Sequence, residues 1–344
     1  MIEKKGLIAP KTESEITQHW DYSFEGTFVS IICPCFNHEG YIEKAIDGFL
    51  AQELRYPFEI IIHDDASNDR SRDIILRYKE KYPNLIKLIL QEENQYSQGR
   101  KVQPIAFALS SGKYIAICEG DDYWVDREKL QKQVSLMEQY PDKNLCFSAG
   151  YGLQGEDTFS EVSSYGEDQT FDLKTIILHG GGFMPTASLL IRRCVFESLP
   201  DWFFDDAPVA DYYFQMLGGV NDALYIHDKT CVYRQNSHGS WSSKRKTQTK
   251  KKIDNFYSRH QKCLELFLSK EGEKESANLP LYTANLNLHK SSELALNGYL
   301  KSAITLCSKN VDTEGLEGVK YNLMSRFKFL TIIYVLFIYI RRFL

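Results

Sequence analysis

The chain lacks three things that would assign it quickly: a long apolar run, paired cysteine motifs and a basic excess. A helix needs about 20 apolar residues to span a bilayer. The longest apolar-biased run, Phe329 to Ile340, has 12. None of the eight cysteines shows the spacing of a zinc site, and Cys33-Pro34-Cys35 has no second pair or histidines beside it. Cys33, Cys118 and Cys231 sit in apolar runs and read as small core residues, reduced in a cytosolic compartment. The net charge of −5 argues against a general nucleic-acid binder. No long apolar stretch follows Met1 to Lys5, so no secretory leader is expected. No internal repeat or low-complexity tract is present.

What is there is globular. At 344 residues the chain can bury a large core as one or two domains, and 43% hydrophobic with 25% charged residues is ordinary. The 21 Tyr and 20 Phe can line a sugar or nucleotide site, although most such residues pack cores. Short apolar runs alternate with helical patterns. Strands are expected at 28–33, 58–63, 86–90 and 114–118, and helices at 43–52, 71–82, 105–110 and 129–139. That alternation implies α/β architecture with a doubly wound, mostly parallel sheet. Ligands bind such sheets beyond the carboxyl ends of the strands. The segment 152–172 reads as a loop or hairpin, 187–191 and 231–234 as short strands, and the chain beyond about 253 as helical, broken at Gly272 and Gly298.

Glu119-Gly120-Asp121-Asp122 ends the fourth strand. Adjacent carboxylates repel unless a cation or hydrogen bonds offset them. Carboxylate oxygens completed by substrate phosphates are the usual environment of Mg2+ or Mn2+. A metal–diphosphate site is one reading; an acidic surface turn is the other.

VSIICPCFNHEGYIEKAIDGFLAQ (29–52), IIIHDDASNDRS (60–71) and YIAICEGDDYW (114–124), in that order, resemble family 2 glycosyltransferases of the nucleotide-sugar GT-A fold. The resemblance covers residues 28–245. It implies a metal-dependent, inverting transfer of a sugar from a nucleotide-sugar, UDP first, to a hydroxyl of a glycan or lipid-linked acceptor. It places Pro34, Phe36 and Glu39 in the nucleotide loop and Asp65 at the base, where a carboxylate can accept the uracil N3–H. Asp121 and Asp122 match a variant of the family's DxD element, Asp122 as the direct ligand of Mn2+ or Mg2+ and Asp121 toward the ribose. Glu119 stands where the first acid of the triplet usually lies. Asp211 matches the acid before a helix and is the expected general base, with Asp205 and Asp206 as rivals. His238, in a segment resembling the family's late YR…HxG element, is a second expected metal or phosphate ligand. Arg100 can place charge near the diphosphate, and Met184-Pro185-Thr186 can edge the acceptor pocket.

The expected organisation is an N-terminal extension (1–27), a GT-A domain (28–250, with nucleotide-sugar half 28–125 and acceptor half 126–250) and a helical extension (251–344). The basic run 244–252 and the apolar terminal run suit a helix lying in an anionic membrane surface. That implies peripheral association with the inner face of the cell membrane. A terminal helix packed on the core or on a second copy is the alternative, which leaves a homo-oligomer open. A nucleotidyltransferase would want a Gly-rich phosphate loop after the first strand, and Pro34 to Glu39 is not one. A non-catalytic glycan- or membrane-binding protein on this fold would have shed its acids, and Asp65, Asp121, Asp122 and Asp211 are all present.

Overall fold

The computed structural model describes residues 9–235 and 245–310. They fall into two compact units, 9–200 with 209–235, and 201–208 with 245–310. Expectations resting on His238, Lys244 or the apolar run at 329–340 lie outside the described residues. Among those described, no helix is long and apolar enough to cross a membrane.

The first unit is built on β1 (Val29–Cys35), β2 (Phe58–Asp64), β3 (Ile86–Leu90) and β4 (Tyr114–Ile117). Every residue of β1, β2 and β4 is buried. Continuous burial, rather than alternation, is the mark of a parallel strand covered on both faces. The four pair in parallel in the order β3-β2-β1-β4. The winding therefore reverses between β1 and β4, which opens a crevice at their carboxyl ends. Short helices connect and cover them: α1 (Glu13–Thr17), α2 (Ile42–Leu50), α3 (Ser71–Lys81) and α4 (Val102–Phe107).

Beyond β4 the sheet becomes mixed. β5 (Tyr123–Trp124) follows the acid turn and leads to α5 (Lys129–Gln139). β6 (Leu145–Gln154), β7 (Thr158–Val162), β8 (Gln169–Phe171), β9 (Leu190–Arg192) and β10 (Ala223–Gln235) complete the sheet. β9 runs antiparallel between β4 and β6, β6 and β10 are parallel, and β5 lies antiparallel on β10. The segment read as a loop or hairpin holds β7 and β8, each antiparallel to a longer strand. Residues 186–188 form a single tight turn, so the short strand expected from 187 starts at Leu190. α6 (Leu173–His179), α7 (Arg193–Glu197) and, in the second unit, α8 (Asp201–Asp205) are short. α9 (Asp211–Gly218) returns to the first unit.

The rest of the second unit is helical, with α10 (Lys250–Leu268), α11 (Leu279–Leu296) and α12 (Leu300–Asn310). Ile253, Leu294, Ala295 and Ala303 form its small buried cluster. Gly298, at φ +88°, ends α11 in the left-handed conformation that glycine adopts without strain.

Candidate active site

The acid turn is pinned to the first strand. Cys118 N–H donates to Ile32 O at 3.1 Å and Gly120 N–H to Pro34 O at 2.9 Å. A Cβ at Gly120 would lie 2.9 Å from both His38 Nδ1 and Ile42 Cδ1, so only glycine lets the turn approach the first loop this closely. The turn closes with Asp122 N–H to Glu119 O at 3.0 Å, and β5 then carries the chain onto β10. One ligand oxygen from each of Glu119, Asp121 and Asp122 lies within 4.8 Å of the others.

Asp122 is buried, at 2% exposure. Its Oδ1 accepts from the Arg234 backbone N–H at 2.8 Å, and its Oδ2 has no hydrogen-bond partner. Burial, then the Asp121 charge, pushes its carboxyl well above the usual carboxylate range. Burial, then Asp121 and Asp211, pushes Glu119 up to about 8. Three converging carboxyls and one unsatisfied buried oxygen are costly as they stand. A divalent cation with a preference for oxygen fits the donor set and would offset both costs.

Asp211 opens α9 but does not cap it; that position belongs to Ala210, which makes no side-chain bond. The Asp211 carboxylate instead accepts from Tyr212 N–H at 2.8 Å and from the Thr186 hydroxyl. Burial raises its pKa and these hydrogen bonds partly offset the rise. Its charge is felt at Glu119 and at Tyr233, whose own neighbours also include Asp121 and Asp122. Asp211 therefore lies near enough to the acid turn for its charge to act on Glu119. Of the two rivals, Asp206 forms an ion pair with Lys262 at 2.8 Å inside the second unit.

The expected nucleotide residues gather at the ends of β1 and β2. Asn37, at φ +56°, turns the first loop; its N–H donates to Ser67 Oγ and its side chain accepts from Asn68 N–H, both at 2.9 Å. Phe36 stands 40% exposed beside it, while Pro34 is buried in β1. Glu39 accepts from Arg70 N–H at 3.0 Å and so braces the start of α3. Asp65 is buried at 3% exposure, and its two oxygens accept the backbone N–H groups of Gln95 and Tyr96 at 2.7 and 3.0 Å. It organises the 94–99 loop, and lone pairs remain on a carboxylate so engaged. The Arg100 guanidinium donates to Gln95 Oε1 at 2.8 Å on the same loop.

The residues expected from the sequence have further neighbours. The Arg234 guanidinium lies 4.7 Å from the Tyr41 ring centre and 5.1 Å from that of Tyr123, while its backbone holds Asp122. His38 Nδ1 lacks a partner beside Gly120, and burial holds the imidazole pKa below its ordinary value despite nearby Asp121. Gln215 ties α9 to the 181–184 loop through Gly181 O and Met184 O, at 3.1 and 3.3 Å. Arg234 is the arginine of the segment resembling the YR…HxG element, whereas nothing in the sequence marks His38 or Gln215.

The chain resembles known proteins in sequence and in fold. The protein Rv1520 of Mycobacterium tuberculosis (strain ATCC 25618 / H37Rv) is 34% identical over 223 residues, covering 62% of this chain and 61% of that protein. The chain thus spans less than two thirds of the first curated relatives it matches. The UDP-Glc:alpha-D-GlcNAc-diphosphoundecaprenol beta-1,3-glucosyltransferase WfgD of Escherichia coli is 34% identical over 110 residues, 32% of this chain and 40% of that one. The crystal structure of S. aureus TarS 1-349 in complex with UDP-GlcNAc aligns with a TM-score of 0.64 at 17% identity, over 92% of this chain and 89% of that one. That likeness is one of fold, and it bears out the α/β expectation. Residues 30–199 match the family described as Glycosyl transferase family 2, and the chain belongs to that family.

Proposed function

We propose that this glycosyltransferase is metal-dependent and inverting, and that it transfers a sugar from a UDP-sugar to a hydroxyl of a glycan or lipid-linked acceptor in cell-surface glycan synthesis. The observation that carries the reading is the convergence of Glu119, Asp121 and Asp122, with its unsatisfied Asp122 Oδ2, near enough to Asp211 for the Asp211 charge to act on Glu119. Asp122, with Asp121 or Glu119, would hold Mn2+ or Mg2+, which when bound neutralises the diphosphate of the departing nucleotide. Asp121 would bind the ribose or the cation. The loops carrying Pro34, Phe36, Glu39 and Asp65 bind the nucleoside, Arg100 lies on the adjoining loop, and His238 is proposed for the diphosphate side.

Asp211 takes the proton of the acceptor hydroxyl as that oxygen attacks the anomeric carbon. Its raised pKa brings the carboxyl nearer the working pH, where a general base is most effective. Thr186 orients the carboxylate. A single carboxylate on the acceptor side is what inversion requires.

Two relatives support the donor and acceptor classes: WfgD is named for UDP-Glc and a diphosphoundecaprenol acceptor, and the TarS structure for UDP-GlcNAc. A peripheral position at the inner membrane face, through the 329–340 run, suits such acceptors.

The test is a panel of UDP-sugars incubated with purified protein and Mn2+. Asp122→Ala should lose metal-dependent UDP binding, whereas Asp211→Ala should bind UDP and fail to turn over. Nucleotide binding absent with every donor would sink the donor assignment; normal turnover in Asp211→Ala would sink the base.

A further inference from the structure

The second unit contains a cavity of about 370 Å3 among α10, α11 and α12. Lys250, Asp254, Lys290, Leu294, Lys301 and Ser302 line it, with Thr305 and Leu306. Each helix contributes one lysine to the lining, so basic side chains come from three separate elements. Asp254 is the one carboxylate among the described lining residues, and Lys250 and Lys290 share it at 2.6 and 2.7 Å. Burial alone would raise the Asp254 pKa; the two lysines outweigh it and hold the carboxyl low. The carboxylate stays ionised, and the lining still carries an excess of two positive charges.

The local placement is electrostatically adverse without a ligand. Lys250, Lys251 and Lys252 occupy the first turn of α10, which carries no acid. The positive end of a helix dipole disfavours cations there. A dianion in the cavity would reverse that balance, neutralising the excess while meeting three ammonium donors. Leu294 and Leu306 give the cavity an apolar side suited to the chain or ring that bears the anion.

We propose that this cavity binds a phosphate or diphosphate group. A carbohydrate without charge would leave the net positive excess of the lining uncompensated. Two sources share the chemistry, a lipid-linked diphosphate and a free phosphate. The inference does not depend on the donor site, since all its residues belong to the helical unit.

The experiment is calorimetric titration of the full chain with inorganic pyrophosphate in the absence of divalent cation, with UDP binding measured separately in saturating Mn2+. One site is expected, weakened at least tenfold in Lys301→Glu/Lys250→Gln, with UDP binding unchanged. A parallel titration with farnesyl diphosphate in detergent separates the sources: tighter binding assigns a lipid carrier, and equal binding a free phosphate. UDP that fails to bind condemns the donor reading and leaves the pyrophosphate result to stand or fall by itself. Absence of pyrophosphate binding, or binding unaffected by the double substitution, overturns the site. So does flotation with phosphatidylglycerol vesicles unaccompanied by pyrophosphate binding, which would mark a diffuse membrane surface instead.

Discussion

Stripping divalent cations from this protein should make its stability fall as pH rises from 7 to 8, and Glu119→Gln should reduce that fall. The Glu119 carboxyl has an ordinary value of 4.5 and is pushed up to about 8 in the folded chain. Between those values the folded state holds a proton that the unfolded state has released. Stability is therefore fully present below pH 4.5 and is lost as pH rises through 8. Integrating the folded-state protonation from pH 7 to 8 gives a loss of about 1 kcal/mol, which is about 2–4 °C in Tm for a domain of this size.

Other groups act in that window with different signs. Burial lowers the pKa values of His38, His63 and His260, so their contribution rises with pH only up to about their unfolded value of 6.5 and is flat above it. Burial also lowers Lys129 to about 8, which adds about 0.4 kcal/mol of the opposite sign from pH 7 to 8. The informative quantity is thus the difference between wild type and Glu119→Gln, measured in EDTA by thermal or urea unfolding. Saturating Mn2+ should flatten the wild-type curve. At pH 7 Glu119 is about nine-tenths protonated, so cation binding should release about one proton from it, read by calorimetry in buffers of different ionisation enthalpy. Parallel pH profiles for wild type and Glu119→Gln in EDTA would refute the argument, because the carboxyl would then titrate as it does in the unfolded chain.

Gly120→Ala should cost about 1–3 kcal/mol by overpacking against His38 and Ile42, and weaken cation affinity with it; His38→Ala in the same chain should recover part of the loss, and an unaltered Tm would disprove the close approach. Thr186→Val removes a hydrogen bond that lowers the Asp211 pKa. The acid limb of the kcat/KM profile should then move to higher pH, and an unmoved limb would separate Thr186 from the base. Lys129 is wholly buried, donates to Gln133 at 2.7 Å and lies 4.3 Å from the Trp124 ring centre. Stability should rise by about 2 kcal/mol between pH 8 and 10 as the folded chain sheds this proton before the unfolded one does, and Lys129→Met should abolish the rise.

The parts of the site that could be read from the sequence are those where composition dictates local structure. β1, β2 and β4 are short runs dominated by apolar residues and ended by polar clusters, and such runs suit a covered parallel strand. Asp65 and the acid turn inherit their positions from those strand ends. The acceptor side follows a different logic. β9 is three residues long, β5 two, and each exists because a longer neighbour supplies hydrogen-bond partners. Nothing in Leu190–Arg192 alone distinguishes it from a loop. Thr186 reaches Asp211 across 25 residues of chain, and Arg234 reaches Asp122 across 112. Pairings of that kind depend on which strand the chain returns to, and that choice is made by the assembled sheet.

The same separation bears on Asp65. A carboxylate after a buried strand is legible as a base-recognition acid, yet the N–H groups of Gln95 and Tyr96 approach both its oxygens from 30 residues away. If Asp65 served the base alone, Asp65→Asn would weaken UDP binding and leave the 94–99 loop in place. Because the loop's backbone amides are directed at an anion, the substitution should also disorder that loop, since a side-chain NH2 group now faces a backbone donor. Amide hydrogen exchange at Gln95 and Tyr96 in the nucleotide-free protein distinguishes the two: faster exchange in Asp65→Asn supports a loop-organising carboxylate, and unchanged protection returns Asp65 to the base alone.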